Sequence, residues 1–236
     1  MRKPLVSVFI PAYNEEKFIT PTLVSVINQT YKNIELIVVN NASTDNTAKI
    51  ALKYATRVIY EAKKGMAFAR NRGIAEAQGK IIIKLDADTL IEENSVERVV
   101  RRFENDKKLV ALSGPSVFIE GSTLLKKLSY FIYSFVLLFN RLLMGHNSLN
   151  GVFYALRADV AKKVKTHDNE KIYQEDMDMS CHMSVYGKCA IDYSLISKTS
   201  YRRFRNAPFN FFIKYTLKGF RTILLHHPSH TLHNVH

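Results

Sequence analysis

Two carboxylates two positions apart, Asp86 and Asp88, follow directly on the run Lys-Ile-Ile-Ile-Lys-Leu from Lys80 to Leu85. The run is rich in β-branched residues and reads as a buried strand. Its carboxylates would then sit just past the C-terminal end, where ligands bind in open α/β sheets. Residues two apart in an extended segment face the same side. Two like charges held together repel unless a cation or a hydrogen-bonded ligand lies between them. A hard divalent ion arriving with substrate phosphates meets that need, because Mg²⁺ takes one or two carboxylates plus phosphate oxygens. A solvated turn after the strand is the plainer alternative, and the pair alone does not decide.

The elements around this stretch alternate. Leu5–Ile10 is a first apolar strand ending at Pro11, and Phe18, Ile19, Leu23, Val26 and Ile27 give Glu15–Gln29 a helical spacing. Ile34–Val39 is a second strand, followed by turn and cap residues from Asn40 to Asp45 and a helix to about Tyr54. Arg57–Tyr60 is a short third strand, Gly65 opens a helix reaching about Ala77, and Glu92–Glu104 is a charged amphipathic helix. Strand and helix in alternation predict an α/β fold: a mostly parallel central sheet with helices on both faces. Neither a Gly-x-Gly-x-x-Gly turn nor a Gly-x-x-x-x-Gly-Lys-Ser/Thr loop is present, which argues against a dinucleotide dehydrogenase and a phosphate-loop nucleotidase. Further on, Leu109–Ser113, Val117–Ile119, Gly151–Arg157 and Cys189–Leu195 read as strands. A short helix is expected near Val160, another over Gln174–Tyr186 with acidic residues in its first turn, and a last one over Phe209–Leu225.

At 236 residues the chain is long enough for one large core, and its net charge of +13 is unevenly spread. Residues 1–120 hold 18 Lys/Arg against 14 Asp/Glu, and residues 121–236 hold 16 against 7, so the second half calls for an anionic partner. The aromatics form no RNA-stacking motif, and nucleic acid is not the expected partner. Two cysteines, Cys181 and Cys189, make no disulfide framework or zinc spacing and read as reduced thiols. The apolar run after Arg2 and Lys3 is too short for a signal peptide, and no stretch has the clean apolar length of a spanning helix. The cytoplasmic side is the expected location.

Four polar stretches lie at successive element ends: Pro11-Ala12-Tyr13-Asn14-Glu15, Asn40 to Asp45, Asp86-Ala87-Asp88, and Glu175-Asp176. In this order, over roughly residues 4–205, the chain resembles the family 2 glycosyltransferases of GT-A fold, in their non-processive, dolichol-phosphate-sugar-synthase-like form. The resemblance implies transfer of a sugar, with inversion, from a nucleoside-diphosphate sugar. Residues 1–120 would be the nucleotide-sugar-binding half and residues 121–236 the acceptor-binding half of one continuous catalytic domain. Pro11, Tyr13 and Glu15 would line the base and ribose pocket, with Asn41 and Asp45 helping to hold the base. Lys64, Gly65 and Arg70 fall on a donor-binding stretch. Asp86 would contact ribose or metal-bound water, Asp88 would ligate Mg²⁺ or Mn²⁺, and Asp176 would be the catalytic base beside Glu175. The plainer alternatives are first-turn helix charges for Glu15, Glu175 and Asp176 and a cap for Asp45. Asn40-Asn41 replaces a commonly acidic pair, which leaves the base open. Tyr201-Arg202-Arg203-Phe204 stands where processive members carry Gln-x-x-Arg-Trp, with Arg202 and Arg203 as diphosphate or acceptor-phosphate contacts or as a basic surface. Some members use a late histidine as a metal ligand, and the tail holds His226, His227, His230, His233 and His236; a polar tail is the alternative.

The acceptor is sought in Leu124–Met144, whose apolar core Leu128–Phe139 is too short to span a bilayer. An interfacial helix and an ordinary buried helix both fit. Lys214, Lys218 and Arg221 share one face of the last helix, among aromatics. Together these favour a lipid-linked acceptor, such as a polyprenyl phosphate or a polyprenyl-diphosphate-linked saccharide, within the class of saccharide or lipid-linked acceptors, and a peripheral position on the inner face of the membrane. The rival enzymes are a polyprenyl-phosphate sugar synthase, whose acceptor needs no base, and a sugar nucleotidyltransferase.

Overall fold

A computed structural model describes residues 3–164, 166–169, 172–202 and 208–225, with side chains in the last segment from 217 onward. The chain runs β1 (Val6–Ala12), α1 (Ile19–Ile27), β2 (Ile34–Asn40), α2 (Thr47–Ala51), β3 (Arg57–Tyr60), α3 (Met66–Glu76), β4 (Ile81–Leu85) and β5 (Thr89–Ile91). It continues through α4 (Ser95–Asn105), β6 (Leu109–Ser113), β7 (Ser116–Phe118), α5 (Thr123–Met144), β8 (Phe153–Arg157) and α6 (Ala158–Ala161). The last described elements are α7 (Glu175–Ser184), β9 (Lys188–Ile191), β10 (Ser197–Thr199) and α8 (Pro208–Leu225).

The main sheet has the order β3-β2-β1-β4-β8-β6-β9. Its pairs are parallel except where β8 meets β4 and β6, so the sheet is mostly parallel as the alternation predicts. Period-two alternation splits its side chains between two cores. Val6, Val8, Ile10, Ile81, Ile83 and Phe153 pack with Leu23 of α1 and Val99 and Phe103 of α4. Phe9, Ile37, Ile82, Tyr154 and Leu156 pack with Ala69 and Ile74 of α3 and Met179 and Met183 of α7. Lys84 lies two residues beyond Ile82 and therefore enters this second layer, where it is 1% exposed. Register aligns Ala12 with Asn40 and Asn40 with Tyr60, so β1, β2 and β3 end along one rim, and β4 ends beside them.

The structure departs from the sequence reading in three places. A second sheet of order β5-β10-β7 was not foreseen: β7 overlaps the expected strand Val117–Ile119, but β5 and β10 are three residues long and carry no periodicity. The first helix starts at Ile19, and Glu15 instead accepts the N–H groups of Phe18 and Ile19 in the turn that precedes it. The stretch read as a short apolar core interrupted at both ends is one continuous 22-residue helix, α5, long and apolar enough to cross a membrane. Ser122 caps its start, accepting the Leu125 N–H, and Gly145 ends it in a left-handed conformation (φ 75°). One side holds the body, through Ser129 to the Phe118 N–H and through buried Leu137. The opposite side is bare, with Leu124 76%, Phe131 66%, Phe135 66% and Leu142 74% exposed. It is thus not an ordinary buried helix. Cys181 and Cys189 are free and buried, and burial pushes both thiols up to about 12.

Gly114 lies between β6 and β7, where a Cβ would fall 2.0 Å from the Leu195 carbonyl oxygen. Backbone on both sides leaves no room to give, so Gly114→Ala is expected to destabilise the fold by about 3 kcal/mol. Gly145→Ala meets no atom within 4 Å and should cost only about 1 kcal/mol, for its left-handed backbone. Urea unfolding of the two variants checks the order, and equal midpoints would refute the close approach.

Candidate active site

The rim carries a cleft lined by Pro11, Ala12, Tyr13 and Glu15 from β1 and its turn, Asn41 after β2, Lys64 to Met66 and Ala69 opening α3, and Asp86-Ala87 after β4. Lys64 donates to the Tyr13 hydroxyl at 3.1 Å and lies 4.8 Å from the ring centroid, so the two close one wall. Asn41 spends its amide on the neighbouring loop: it donates to Glu61 O and Lys63 O and accepts the Gly65 N–H at 2.8 Å. Base recognition by Asn41 would fall to the second lone pair of its oxygen.

Two residues expected in the donor set do not reach the cleft. Arg70 is fully buried one turn inside α3, where the helix faces the sheet. Its guanidinium donates to Glu175, at Oε2 and at the carbonyl oxygen, both at 3.0 Å, and also to Thr166 and Asn71. Asp45 accepts the Thr47 N–H and hydroxyl and the Glu16 N–H, which ties the turn before α2 to the turn before α1. Burial works to raise the Asp45 pKa, but these hydrogen bonds outweigh it and hold it below the usual carboxylate value. That is the capping alternative rather than contact with a base.

Asp88 and Glu15 are both buried, and they converge on Arg202. Arg202 reaches both Glu15 oxygens at 2.6 Å and Asp88 Oδ2 at 3.0 Å, with its guanidinium 4.0 Å from the Phe18 ring centroid. The small sheet makes this possible. Thr199 of β10 pairs with Thr89 of β5, and the next residue, Ser200, donates its N–H to the Asp88 carbonyl. Arg203 lies outside the described residues, as do the five tail histidines. Two buried carboxylates on one guanidinium mark a position that favours a cation. Their hard oxygens suit Mg²⁺ or Mn²⁺, so the residues present fit such an ion at Asp88.

Lys84 was missed in the sequence, although a lysine inside Ile-Ile-Ile-Lys-Leu is the signal that could have found it. Its ammonium donates to Asp86 Oδ1 and the Gly151 carbonyl and lies 3.9 Å from Glu175 Oε1. Burial disfavours its charge, but Asp86 and then Glu175 outweigh that and hold the lysine pKa above its usual value. The Tyr154 ring lies 5.8 Å from the same nitrogen, and its buried hydroxyl has no hydrogen-bond partner among the described residues. Burial, then the Glu175 charge, raises the phenol pKa well above normal, so it stays protonated.

Gly151 joins this lysine to the end of α7. Its N–H donates to Asp176 Oδ2 at 2.8 Å, and the Met177 N–H donates to Oδ1 at 2.9 Å. A Cβ on Gly151 would lie 2.8 Å from Asp176 Oδ2, so only glycine lets the peptide come so near. The two adjacent acids therefore point apart, Glu175 towards Arg70 and Lys84 and Asp176 towards the Gly151 peptide. Asp176 is hemmed in by protein with an edge left open. Burial, then the Glu175 charge, pushes its pKa up to about 6, against the pull of the Met177 N–H, Lys84 and the Gly151 N–H.

Several known proteins are similar. A poly-beta-1,6-N-acetyl-D-glucosamine synthase of Staphylococcus epidermidis is 28% identical over 190 residues, 77% of this chain and 46% of that protein. The minor teichoic acid biosynthesis protein GgaB of Bacillus subtilis is 38% identical over 126 residues, 50% of this chain and 14% of its own length. The chain thus spans less than half the length of these curated relatives. Among solved structures, the mannosyltransferase PcManGT from Pyrobaculum calidifontis, in complex with GDP-Man and Mn²⁺, superposes with a TM-score of 0.71 at 18% identity, covering 100% of this chain and 71% of that one. S. aureus TarS 1–349 with UDP-GlcNAc gives 0.59 at 20% identity over 83% of this chain and 56% of that one. These two neighbours share the GT-A fold. The description "Glycosyl transferase family 2" matches residues 7–186, and the chain belongs to that family.

Proposed function

We propose that this chain is the catalytic part of an inverting glycosyltransferase that moves a sugar from a nucleoside-diphosphate sugar to a hydroxyl of a saccharide or lipid-linked acceptor. The observation that carries this reading is the setting of Asp176: an open-edged carboxylate fixed by two peptide N–H groups, with its pKa lifted to about 6. An acceptor hydroxyl is a weak nucleophile at neutral pH, and a positioned carboxylate that takes its proton removes the obstacle. Direct displacement at the anomeric carbon then needs no protein nucleophile. Pro11, Tyr13, Glu15, Asn41 and Lys64 hold the nucleotide, with Asp86 at the ribose. Asp88, with Asp86 beside it, holds Mg²⁺ or Mn²⁺, which when bound supplies charge stabilisation for the departing diphosphate. Arg202, held by Glu15 and Asp88 at this position, would supply a cation for the diphosphate. PcManGT with GDP-Man and TarS with UDP-GlcNAc support a nucleotide-sugar donor and leave the base to experiment.

The acceptor side rests on α5. Its bare apolar face is flanked by Lys126, Lys127 and Arg141 on the same helix, and α8 adds exposed Leu217, Phe220 and Leu224 beside Lys218 and Arg221. An apolar stripe among cations suits an anionic lipid surface, with the helix lying in the interface and the protein on the cytoplasmic face.

A donor panel with Mn²⁺, read as release of nucleoside diphosphate, tests the reaction. One sugar nucleotide should be hydrolysed slowly without acceptor, and Asp88→Asn should abolish this. Asp176→Asn should lower kcat for transfer about 10²–10⁴-fold while sparing donor binding. Full transfer by Asp176→Asn would instead favour a phosphate acceptor that needs no base, and formation of a nucleoside triphosphate and a sugar phosphate on addition of pyrophosphate would favour a nucleotidyltransferase.

The pH profile of kcat/KM should rise through about pH 6, because Asp176 accepts a proton only above its pKa. Lys84→Met removes a cation that lowers this pKa, so the acid limb should move to higher pH. A profile that keeps its acid limb in a folded Lys84→Met protein would detach the lysine from the base.

Vesicle sedimentation tests the surface. The full chain should pellet with phosphatidylglycerol vesicles but not with phosphatidylcholine ones, and Phe131→Glu with Phe135→Glu should weaken binding about tenfold or more. Equal binding by the double variant would remove α5 from the membrane, and equal binding to both vesicle types would remove its anionic preference.

A further inference from the structure

Away from the cleft, α7 carries a second polar cluster that the transfer reaction does not use. Asp178 is fully buried on this helix, and His182 follows four residues later on the same face. His167, from the loop at 166–169, closes the third side. Its Nδ1 lies 2.7 Å from Asp178 Oδ1, and His182 Nε2 lies 3.4 Å from that same oxygen. The three ligand atoms all lie within 4.8 Å of one another. Asp178 Oδ2 accepts the His167 backbone N–H at 2.8 Å, which turns Oδ1 towards both rings. Tyr173 stacks on the His167 ring, with centroids 4.0 Å apart and planes 11° from parallel, and so fixes its orientation.

We propose that His167, Asp178 and His182 form a binding site for a divalent transition-metal ion of the zinc class, separate from the cation position at Asp88. Two imidazole nitrogens and one carboxylate oxygen are a borderline donor set that suits Zn²⁺, whereas Mg²⁺ prefers oxygen alone. Bonds of about 2.0–2.2 Å place tetrahedral ligand atoms about 3.3–3.6 Å apart. The His182–Asp178 separation of 3.4 Å already meets this. The His167–Asp178 pair at 2.7 Å has to open by about 0.6–0.9 Å. The side chains of His167 and His182 are 39% and 31% exposed, so an ion can enter and water can complete its coordination. Each ring offers one nitrogen lone pair to the ion.

The site has a structural consequence for the cleft. Thr166 and Asp168 flank His167 and accept hydrogen bonds from Arg70 and Asn71 of α3. Arg70 in turn holds Glu175, next to Asp176. An ion at His167 fastens the loop that seats Arg70 under the rim.

Five further histidines in the tail would confound a zinc titration, so the test uses the full chain with His226, His227, His230, His233 and His236 replaced by glutamine. Calorimetric titration of this metal-free parent should show one Zn²⁺ per chain, and Co²⁺ should give the visible absorption band of a tetrahedral site. His182→Gln and His167→Gln should each weaken Zn²⁺ binding about tenfold or more and abolish the band, while Asp88→Asn should keep both. A parent that binds no Zn²⁺, or histidine variants that bind as the parent does, would overturn the site. Thermal unfolding guards against misfolded variants: Zn²⁺ should raise the Tm of the parent and leave that of His167→Gln, a loop substitution, unmoved. Equal shifts in the two proteins would also overturn it.

Discussion

Crowding of carboxylates is the constraint on which the rim depends. Glu15, Asp86, Asp88, Glu175 and Asp176 come from three segments of the chain and meet across two cations, Lys84 and Arg202, with Arg70 beneath. Like charges so close repel unless positive charge or N–H donors lie among them. The cations divide by burial. Lys84 and Arg70 are buried, and removing a partner from such a pair leaves an uncompensated charge that costs about 3–5 kcal/mol. They are fixed parts of the fold. Arg202 is 22% exposed and lies three residues past a three-residue strand, so it is less enclosed than the buried pair. The same repulsion therefore yields an enclosed half around Lys84 and a more open half around Arg202.

What was legible in the sequence follows the range of the interactions. β1 to β4 and α7 announced themselves through periodicity and cap chemistry, which are local, and the order of polar stretches at their ends gave the rim. β5 and β10 are too short to carry a pattern, yet their pairing is what brings Arg202 to Asp88. Arg70 looked like a donor contact because it lies near the start of α3. It is one turn in, on the face shared with Ala67, Gly73 and Ile74, and the helix angle sends it to the core. Lys84 was read only as part of a strand, although alternation with Ile82 already sends it to an interior face where a lone ammonium is not tolerated. Its partners, Gly151 and Glu175, lie 67 and 91 positions away, a separation that no local pattern reports.

The α5 face shows the opposite failure. Composition located the helix, but counting only its uninterrupted apolar residues undervalued it. Lys126, Lys127 and Arg141 lie within the helix, and long basic side chains reach outward from apolar surroundings without breaking them. With Phe131 and Phe135 two-thirds exposed, the apolar area facing outward exceeds what scattered surface residues explain.

The acidity of Asp176 is the result of opposing terms of similar size. The first turn of α7, two peptide N–H donors and the Lys84 ammonium all favour the carboxylate. Burial and the Glu175 charge oppose them and prevail, though only far enough to reach about 6. A fully desolvated acid with no donors would rise further and be protonated at neutral pH, and a solvated one would be too weak a base to draw a proton from a hydroxyl. The close approach of the Gly151 peptide and the turning of Glu175 onto Arg70 set the balance between these limits. Both depend on buried cations, so the acidity of Asp176 is fixed by the packing beneath the rim.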